Sequence, residues 1–264
     1  MSDRETPISA PVGSGAPSLS LIIPAYNEAR TICQTLSAAW DYLSAQAYPF
    51  DVLLIDDGSN DNTLALARRF AEDHPQVQIY SIPHAGKAAA LRKGLAEATG
   101  DFVVFTDADL ATPLTYIEEF RERAANGCDL VIGSREGPTA ERIGEPAYRH
   151  VMGRVFNLLV RALLLRDIDD TQCGFKLFRR PVVDVLLRNT RLYASPGASV
   201  SGARVTAFDV ELLVVARRHD FTICSVPVVW TYGTNSKVNP VRDTLNNLLD
   251  VLRVKANDLR GRYR

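Results

Sequence analysis

Two carboxylates one residue apart, Asp107 and Asp109, end the run Phe102-Val103-Val104-Phe105-Thr106 within Asp101–Pro113. That run is β-branched and aromatic and has the length of a fully buried strand. Acids in such a place have two uses. They either face water in a turn, or share a hard divalent cation, Mg²⁺ or Mn²⁺, whose oxygen shell a phosphate and water complete. Pro113 suits the first turn of a following helix. An Asp-x-Asp alone does not decide between these uses, so the question is what else reaches the same edge.

Other polar groups follow apolar runs in the same way. Pro24-Ala25-Tyr26-Asn27-Glu28 follows Leu19–Ile23, Asp56-Asp57 follows Val52–Ile55, and Lys87 follows Gly86 after the run Val77–Ile82. Between the runs, apolar residues recur at helical spacing over Ala29–Gln46, Asn62–Glu72, Gly86–Ala98 and Leu114–Ala125, and a fifth strand is expected at Asp129–Gly133. Strands alternating with helices predict an α/β fold with a mostly parallel sheet covered on both faces. Ligands of such sheets bind at the carboxyl ends of the strands, where these polar groups gather.

Beyond Gly133 the pattern changes. Ser134–Ala147 reads as a long loop and Arg149–Arg166 as an apolar helix studded with arginines. A short strand near Gly174–Phe178, a helix near Pro181–Arg188, a small-residue loop over Ala194–Ala203, a helix over Phe208–His219 and a strand over Phe221–Trp230 follow. Val241–Leu259 has apolar residues at steps of three and four and a basic end, so it is an amphipathic helix that either packs on the domain or lies on an anionic membrane surface. The expected division is a tail at 1–17, one α/β domain at 18–232 and a basic C-terminal segment at 233–264.

Composition narrows the class. With 46% hydrophobic and 23% charged residues the chain is an ordinary globular one, and a net charge of −1 argues against a nucleic-acid partner. No apolar run approaches the roughly 18 residues of a membrane span, and Met1–Pro17 lacks the pattern of a signal peptide, so the expected setting is the cytosol. The four cysteines, Cys33, Cys128, Cys173 and Cys224, are too dispersed for a metal knuckle and read as small buried hydrophobes.

Taken together, Pro24–Glu28, Asp56-Asp57-Gly58-Ser59-x-Asp61-x-Thr63, Gly86-Lys87 and Asp107-Ala108-Asp109 resemble, in order and spacing, the family 2 inverting glycosyltransferases of GT-A (Rossmann-like) fold. Gly133-Ser134-Arg135, Asp170–Phe178 and Phe208-Asp209-Val210-Glu211 resemble the polyprenyl-phosphate members, on the dolichyl-phosphate β-glucosyltransferase side more than the mannose synthase side. The likeness covers roughly residues 19–232. It implies a nucleotide site at Pro24, Ala25, Tyr26, Glu28, Asp56, Asp57, Lys87, Asp107 and Ala108, and a metal held by Asp107 and Asp109. It implies an acceptor-phosphate site at Arg135, Arg149 and Lys176, with Asp109, Asp209 and Arg135 nearest the chemistry. Two positions depart from the pattern. Ala111 stands where mannose synthases have a Gln that adds a metal ligand, and Gly153 where a Ser is common one turn after the second Arg.

The residues have their own chemistry beside the likeness. Asp57 can accept hydrogen bonds from a base or ribose or serve a helix start. Lys87 can meet a diphosphate or only water. Arg149 can grip a lipid phosphate or snorkel from a surface, and Asp209 can orient a ligand or cap a helix. The implied activity is inverting transfer of glucose from UDP-glucose to polyprenyl (dolichyl) phosphate by a peripheral enzyme on the cytoplasmic face of a membrane. The rivals are a GDP-mannose donor, a soluble glycan acceptor, and a nucleotide-sugar-binding assembly protein without catalysis.

Overall fold

The computed structural model describes residues 15–193, 207–233 and 240–264, of which 240–245 are described by backbone alone. The expected loop over Ala194–Ala203 and most of the tail at 1–17 lie outside the described residues. The first half alternates strand and helix: β1 (Leu19–Ala25), α1 (Ile32–Ser44), β2 (Phe50–Asp56), α2 (Thr63–Glu72), β3 (Val77–Ser81), α3 (Lys87–Glu97), β4 (Phe102–Phe105), α4 (Tyr116–Ala125) and β5 (Leu130–Ser134). The second half is less regular. It comprises β6 (Glu141–Ile143), α5 (Ala147–Leu163), β7 (Lys176–Arg179), α6 (Arg180–Asn189), α7 (Phe208–Arg218), β8 (Ile223–Pro227), β9 (Val229–Thr231) and α8 (Pro240–Leu259).

Seven strands form one sheet in the order β3-β2-β1-β4-β7-β5-β8. All run parallel except β7, which is antiparallel to both β4 and β5. Side chains alternate between faces as the pleat requires. Ile22, Leu53, Ile55, Val103 and Phe105 enter one core with α3, α5, α6, α7 and α8; Leu21, Ile23, Leu54 and Val104 enter the other with α1, α2 and α4. Helix α7 is buried from Phe208 to Ala216. It is sandwiched, because α8 packs over it and sends Val251 and Val254 into the same core.

Three local expectations change. The Ser134–Ala147 stretch contains β6, which pairs in parallel with β9 as a separate two-stranded ribbon. The single strand expected over Phe221–Trp230 is divided into β8 and β9, since Val228 turns its amide to Ser134 O at 2.9 Å while the next residues leave the sheet. The cysteines are not all buried hydrophobes. Cys128 and Cys224 form a disulfide with Cα atoms 5.9 Å apart, Cys33 is exposed, and Cys173 is free and buried. Neighbouring strands β5 and β8 bring Cys128 and Cys224 side by side across a sequence separation of 96, which spacing could not reveal.

Among the described residues no helix is long and apolar enough to cross a membrane. A row of large apolar side chains is nevertheless exposed on α5: Tyr148, Val151, Val155, Leu158 and Leu159. Leu249 and Leu252 of the adjacent α8 are exposed as well.

Candidate active site

The carboxyl ends of β1, β2 and β4 converge, as the parallel register dictates. Pro24 and Ala25 are the last residues of β1, and Ala25 O accepts the Asp57 amide at 2.8 Å. Tyr26 stacks on His84 with ring centroids 4.1 Å apart. Asn27, at φ 55, accepts the Asn60 amide and donates its own amide to Ser59 Oγ, and Glu28 N donates to Thr63 Oγ1 at 2.7 Å. The Asp-Gly-Ser loop is thus laced to the Pro24–Glu28 loop residue by residue. Gly58 sits at φ 67, and a Cβ there would come 2.7 Å from His84 N, so no larger residue fits this crossing.

Asp57 is buried, and its carboxylate accepts the Ala85 amide at 2.8 Å, the Gly86 amide at 2.9 Å and His84 Nδ1 at 2.8 Å. It fixes the start of α3 and so aims Lys87. Asp56 is also buried; one oxygen accepts Ser59 N and Ser81 Oγ, while Oδ1 has no hydrogen-bond partner. That buried lone pair is a ready acceptor for an N–H group.

Asp107 and Asp109 stand on a turn fastened from behind: Thr35 Oγ1 donates to the buried Ala108's O at 2.6 Å, and Ala111 N donates to Asp109 Oδ1 at 3.1 Å. The second half of the chain closes on this turn. A Cβ at Gly174 would collide with the Asp107 carboxylate, and one at Gly233 would lie 2.9 Å from Asp109 Oδ2. The Lys87 ammonium is paired with Asp107 Oδ1, both side chains being about a third exposed. Burial alone would lower the Lys87 pKa, but Asp107, Asp209 and Asp109 outweigh it and hold the ammonium above its ordinary value. Asp109 is pushed up, first by desolvation and then by the Asp107 charge.

Among the described residues no group of three or more acidic, His or Cys side chains could hold a metal. The donor set still fits a hard divalent cation: two adjacent carboxylates with excess negative charge, one already drawing a cationic side chain, leave most of the shell to phosphate and water.

The groups expected at the acceptor phosphate are more confined. Arg135 grips buried Asp170 with Nε and Nη2 at 2.7 and 2.9 Å, adds its backbone amide at 3.0 Å, and lies over the Trp230 ring. One edge of its guanidinium is thereby committed. Desolvation works against each charge, but their attraction prevails: Arg135 is raised and Asp170 held well below the usual carboxylate range. Arg149 lies over the Tyr232 ring at 5.1 Å. Lys176 departs from the expected position. Its ammonium is fully enclosed, donating to Cys173 O and to Asp209 Oδ1 at 2.6 Å, so it supports Asp209 and does not stand open to a phosphate. The physical reason is that β7 is a central strand whose Lys176 side chain points into the core, over Phe105.

Sequence reasoning set His84 among the polar groups at the strand ends without giving it a role, and missed Thr35, Gly174 and Glu211 as supports. Glu211 is buried, accepts the Arg191 and Leu192 amides and Tyr263 OH at 2.7 Å, and so ties α7 to the segment after α6 and to the residues after α8. Burial raises its pKa. The only sequence signal for Glu211 was its place in the Phe-Asp-x-Glu run; its partners lie 19 to 52 positions away.

Comparison with known proteins gives the family and the fold. The profile described as Glycosyl transferase family 2 matches residues 20–187. "Glycosyltransferase AglD" of Haloferax volcanii is 35% identical over 240 residues, which is 89% of this chain and 36% of that protein. "Dolichyl-phosphate beta-glucosyltransferase ALG5C" of Trichomonas vaginalis is 31% identical over 83% of this chain and 65% of its own length. The human "Dolichyl-phosphate beta-glucosyltransferase" is 30% identical over 93% of this chain and 77% of its own. The chain therefore spans about a third of the first of these relatives and just under two thirds of the second.

Among solved structures, glucosyl-3-phosphoglycerate synthase from Mycobacterium tuberculosis with Mn²⁺ and UDP-glucose superposes with a TM-score of 0.62 at 20% identity, covering 90% of this chain and 79% of that one. The same enzyme with phosphoglyceric acid gives 0.62 at 19% identity, covering 91% and 80%. Mannosyl-3-phosphoglycerate synthase from Rubrobacter xylanophilus gives 0.63 at 18%, covering 93% and 74%. These likenesses show the GT-A fold. With the profile spanning well over half of its residues, the chain belongs to Glycosyl transferase family 2.

Proposed function

We propose that this glycosyltransferase moves glucose from UDP-glucose to the phosphate of a polyprenyl or dolichyl lipid, with inversion at the anomeric carbon. The observation that carries the reading is the meeting of two half-sites: Asp107 and Asp109 at the end of β4 lie against Gly174 and Gly233, in the half of the chain that also supplies Arg135 and Asp209. The relatives named as dolichyl-phosphate β-glucosyltransferases support the acceptor and the sugar, and the neighbour holding UDP-glucose supports the donor.

In this reading Tyr26, Glu28 and the Asp56-Asp57 loop hold the base and ribose, and Lys87 lies along the diphosphate. Asp107 and Asp109 would hold a Mg²⁺ or Mn²⁺ ion, which supplies neutralisation of the charge that grows on the leaving diphosphate. Lys87 exchanges Asp107 for the diphosphate and assists the same charge. Arg135, through its uncommitted edge, and Arg149 hold the acceptor phosphate. An oxygen of that phosphate attacks the anomeric carbon, the bond to UDP breaks on the opposite face, and the phosphate, already anionic, needs no strong base. Asp209, held by Lys176, orients the sugar or acceptor. The exposed apolar row on α5, beside Arg154 and Arg161, would rest on a membrane that delivers the lipid. Localisation at the cytoplasmic face is part of this proposal.

Radiolabel transfer across UDP- and GDP-sugars to a short prenyl phosphate, with and without EDTA, tests it. UDP-glucose should be the donor and EDTA should abolish transfer. Preference for GDP-mannose, or metal-independent transfer, would overturn the donor or metal assignment.

A further inference from the structure

A cavity of about 510 Å³ opens between the β5–β6 connection and the start of α5. Arg135, Glu136, Arg142, Glu145 and His150 line it, together with Ala140, Ala147 and Val151. Its position joins Arg135 to the exposed apolar row, because Val151 belongs to both. The charged wall is tightly built. Arg142 is nearly buried and spends its whole guanidinium on it: Nε donates to Arg135 O at 3.1 Å, Nη1 to Glu145 Oε2 at 2.8 Å and Nη2 to Glu136 Oε1 at 2.9 Å.

The charge balance of this wall is unusual for a phosphate seat. Three guanidinium groups, Arg135, Arg142 and Arg154, meet three carboxylates, Asp170, Glu136 and Glu145, of which Asp170 lies behind Arg135 and does not line the cavity. Arg154 reaches Glu136 only from the exposed outside, and His150 lies 3.4 Å from Glu145. A wall without surplus positive charge has little to offer a second anionic group, and Glu136 and Glu145 would repel one at short range in a poorly solvated setting. The small apolar side chains that share the lining, Ala140, Ala147 and Val151, can take a hydrocarbon instead.

We infer that this cavity seats the first apolar segment of the acceptor, and that Glu136 and Glu145, by neutralising Arg142, select an acceptor with one phosphate and no second acidic group. The inference rests on the proposed lipid-phosphate function, and it makes these two glutamates specificity residues against small polyanions such as phosphoglyceric acid.

The test uses the full chain, a short prenyl phosphate and phosphoglyceric acid. Wild-type protein should bind the prenyl phosphate in calorimetry and phosphoglyceric acid only weakly. Glu136→Gln with Glu145→Gln keeps oxygen acceptors for Arg142 but removes both charges; phosphoglyceric acid should then bind at least about tenfold tighter, as relief of a close like-charge contact predicts. Arg142→Met should act in the opposite direction, weakening both phosphates, whereas simple damage to the loop would weaken binding in every variant. Unchanged phosphoglyceric acid affinity in the glutamine pair, or tighter binding in Arg142→Met, overturns the inference. If the glutamine pair melts early, Glu145→Gln alone is read by the same measure. Failure of the functional reading is distinguishable: it appears as absent sugar transfer in wild-type protein, while the binding preference is still measured.

Discussion

The proposed donor half of the site and the proposed acceptor half use ion pairs differently. On the donor side, Lys87 and Asp107 are each about a third exposed, and Asp109 shares their edge. On the acceptor side the Asp170 and Lys176 side chains are fully buried, with Arg135 and Asp209 nearly so. A partly exposed pair exchanges partners at little cost, since water and ligand can replace each member. A buried pair holds its geometry because separating it leaves a charge without solvation. In the proposed function, the donor side would thus be made of groups that change partners during turnover, and the acceptor side of a frame that does not.

Four changes would break or sharpen this contrast. Asp107→Asn should lower kcat/KM about a thousandfold or more, as loss of a charge that positions a metal and diphosphate does, while the melting temperature stays near that of the parent. Collapse of the fold in this variant would erase the difference between the halves. Asp170→Asn should instead cost about 3–5 kcal/mol of stability in urea unfolding, because Arg135 is left buried without its counter-charge. Its sign with pH follows from the direction of the shift. The Asp170 carboxyl is held below its unfolded value near about 3.9, so its contribution is full above that pH and fades as the solution is acidified. The stability gap between wild type and Asp170→Asn should therefore narrow in acid.

Opening the Cys128–Cys224 disulfide should cost about 2–4 kcal/mol, given the long loop it closes, and should move the thermal midpoint without altering donor binding. The mildest change is on α5. Replacing Val151, Val155 and Leu158 by Ser should weaken sedimentation with anionic vesicles by about tenfold, while the melting temperature holds, because these side chains are already exposed.

Much of the donor half was legible in the sequence because its information is local. Apolar runs such as Leu19–Ile23 and Val52–Ile55 fix strands, and a parallel sheet must then bring Asp57, Lys87 and Asp107 to one edge. The acceptor half depends on partners that spacing does not reveal. Arg135 finds Asp170 35 positions on, Lys176 finds Asp209 33 positions on, and β6 finds β9 through a ribbon of three residues each. Lys176 was placed at the phosphate because its run matched a motif; the inward direction of a side chain on β7 comes only from that strand's insertion between β4 and β5.

The close approach of Gly174 to Asp107 has a consequence for how the enzyme comes into being. The acid belongs to an early stretch of the chain, but its final setting exists only once an antiparallel strand from far downstream has slotted into the middle of the sheet. Such long-range pairing is slow to form, so catalytic competence should ripen late in refolding, after most secondary structure is regained. A fragment ending before residue 174 would lack the floor on which that carboxylate rests.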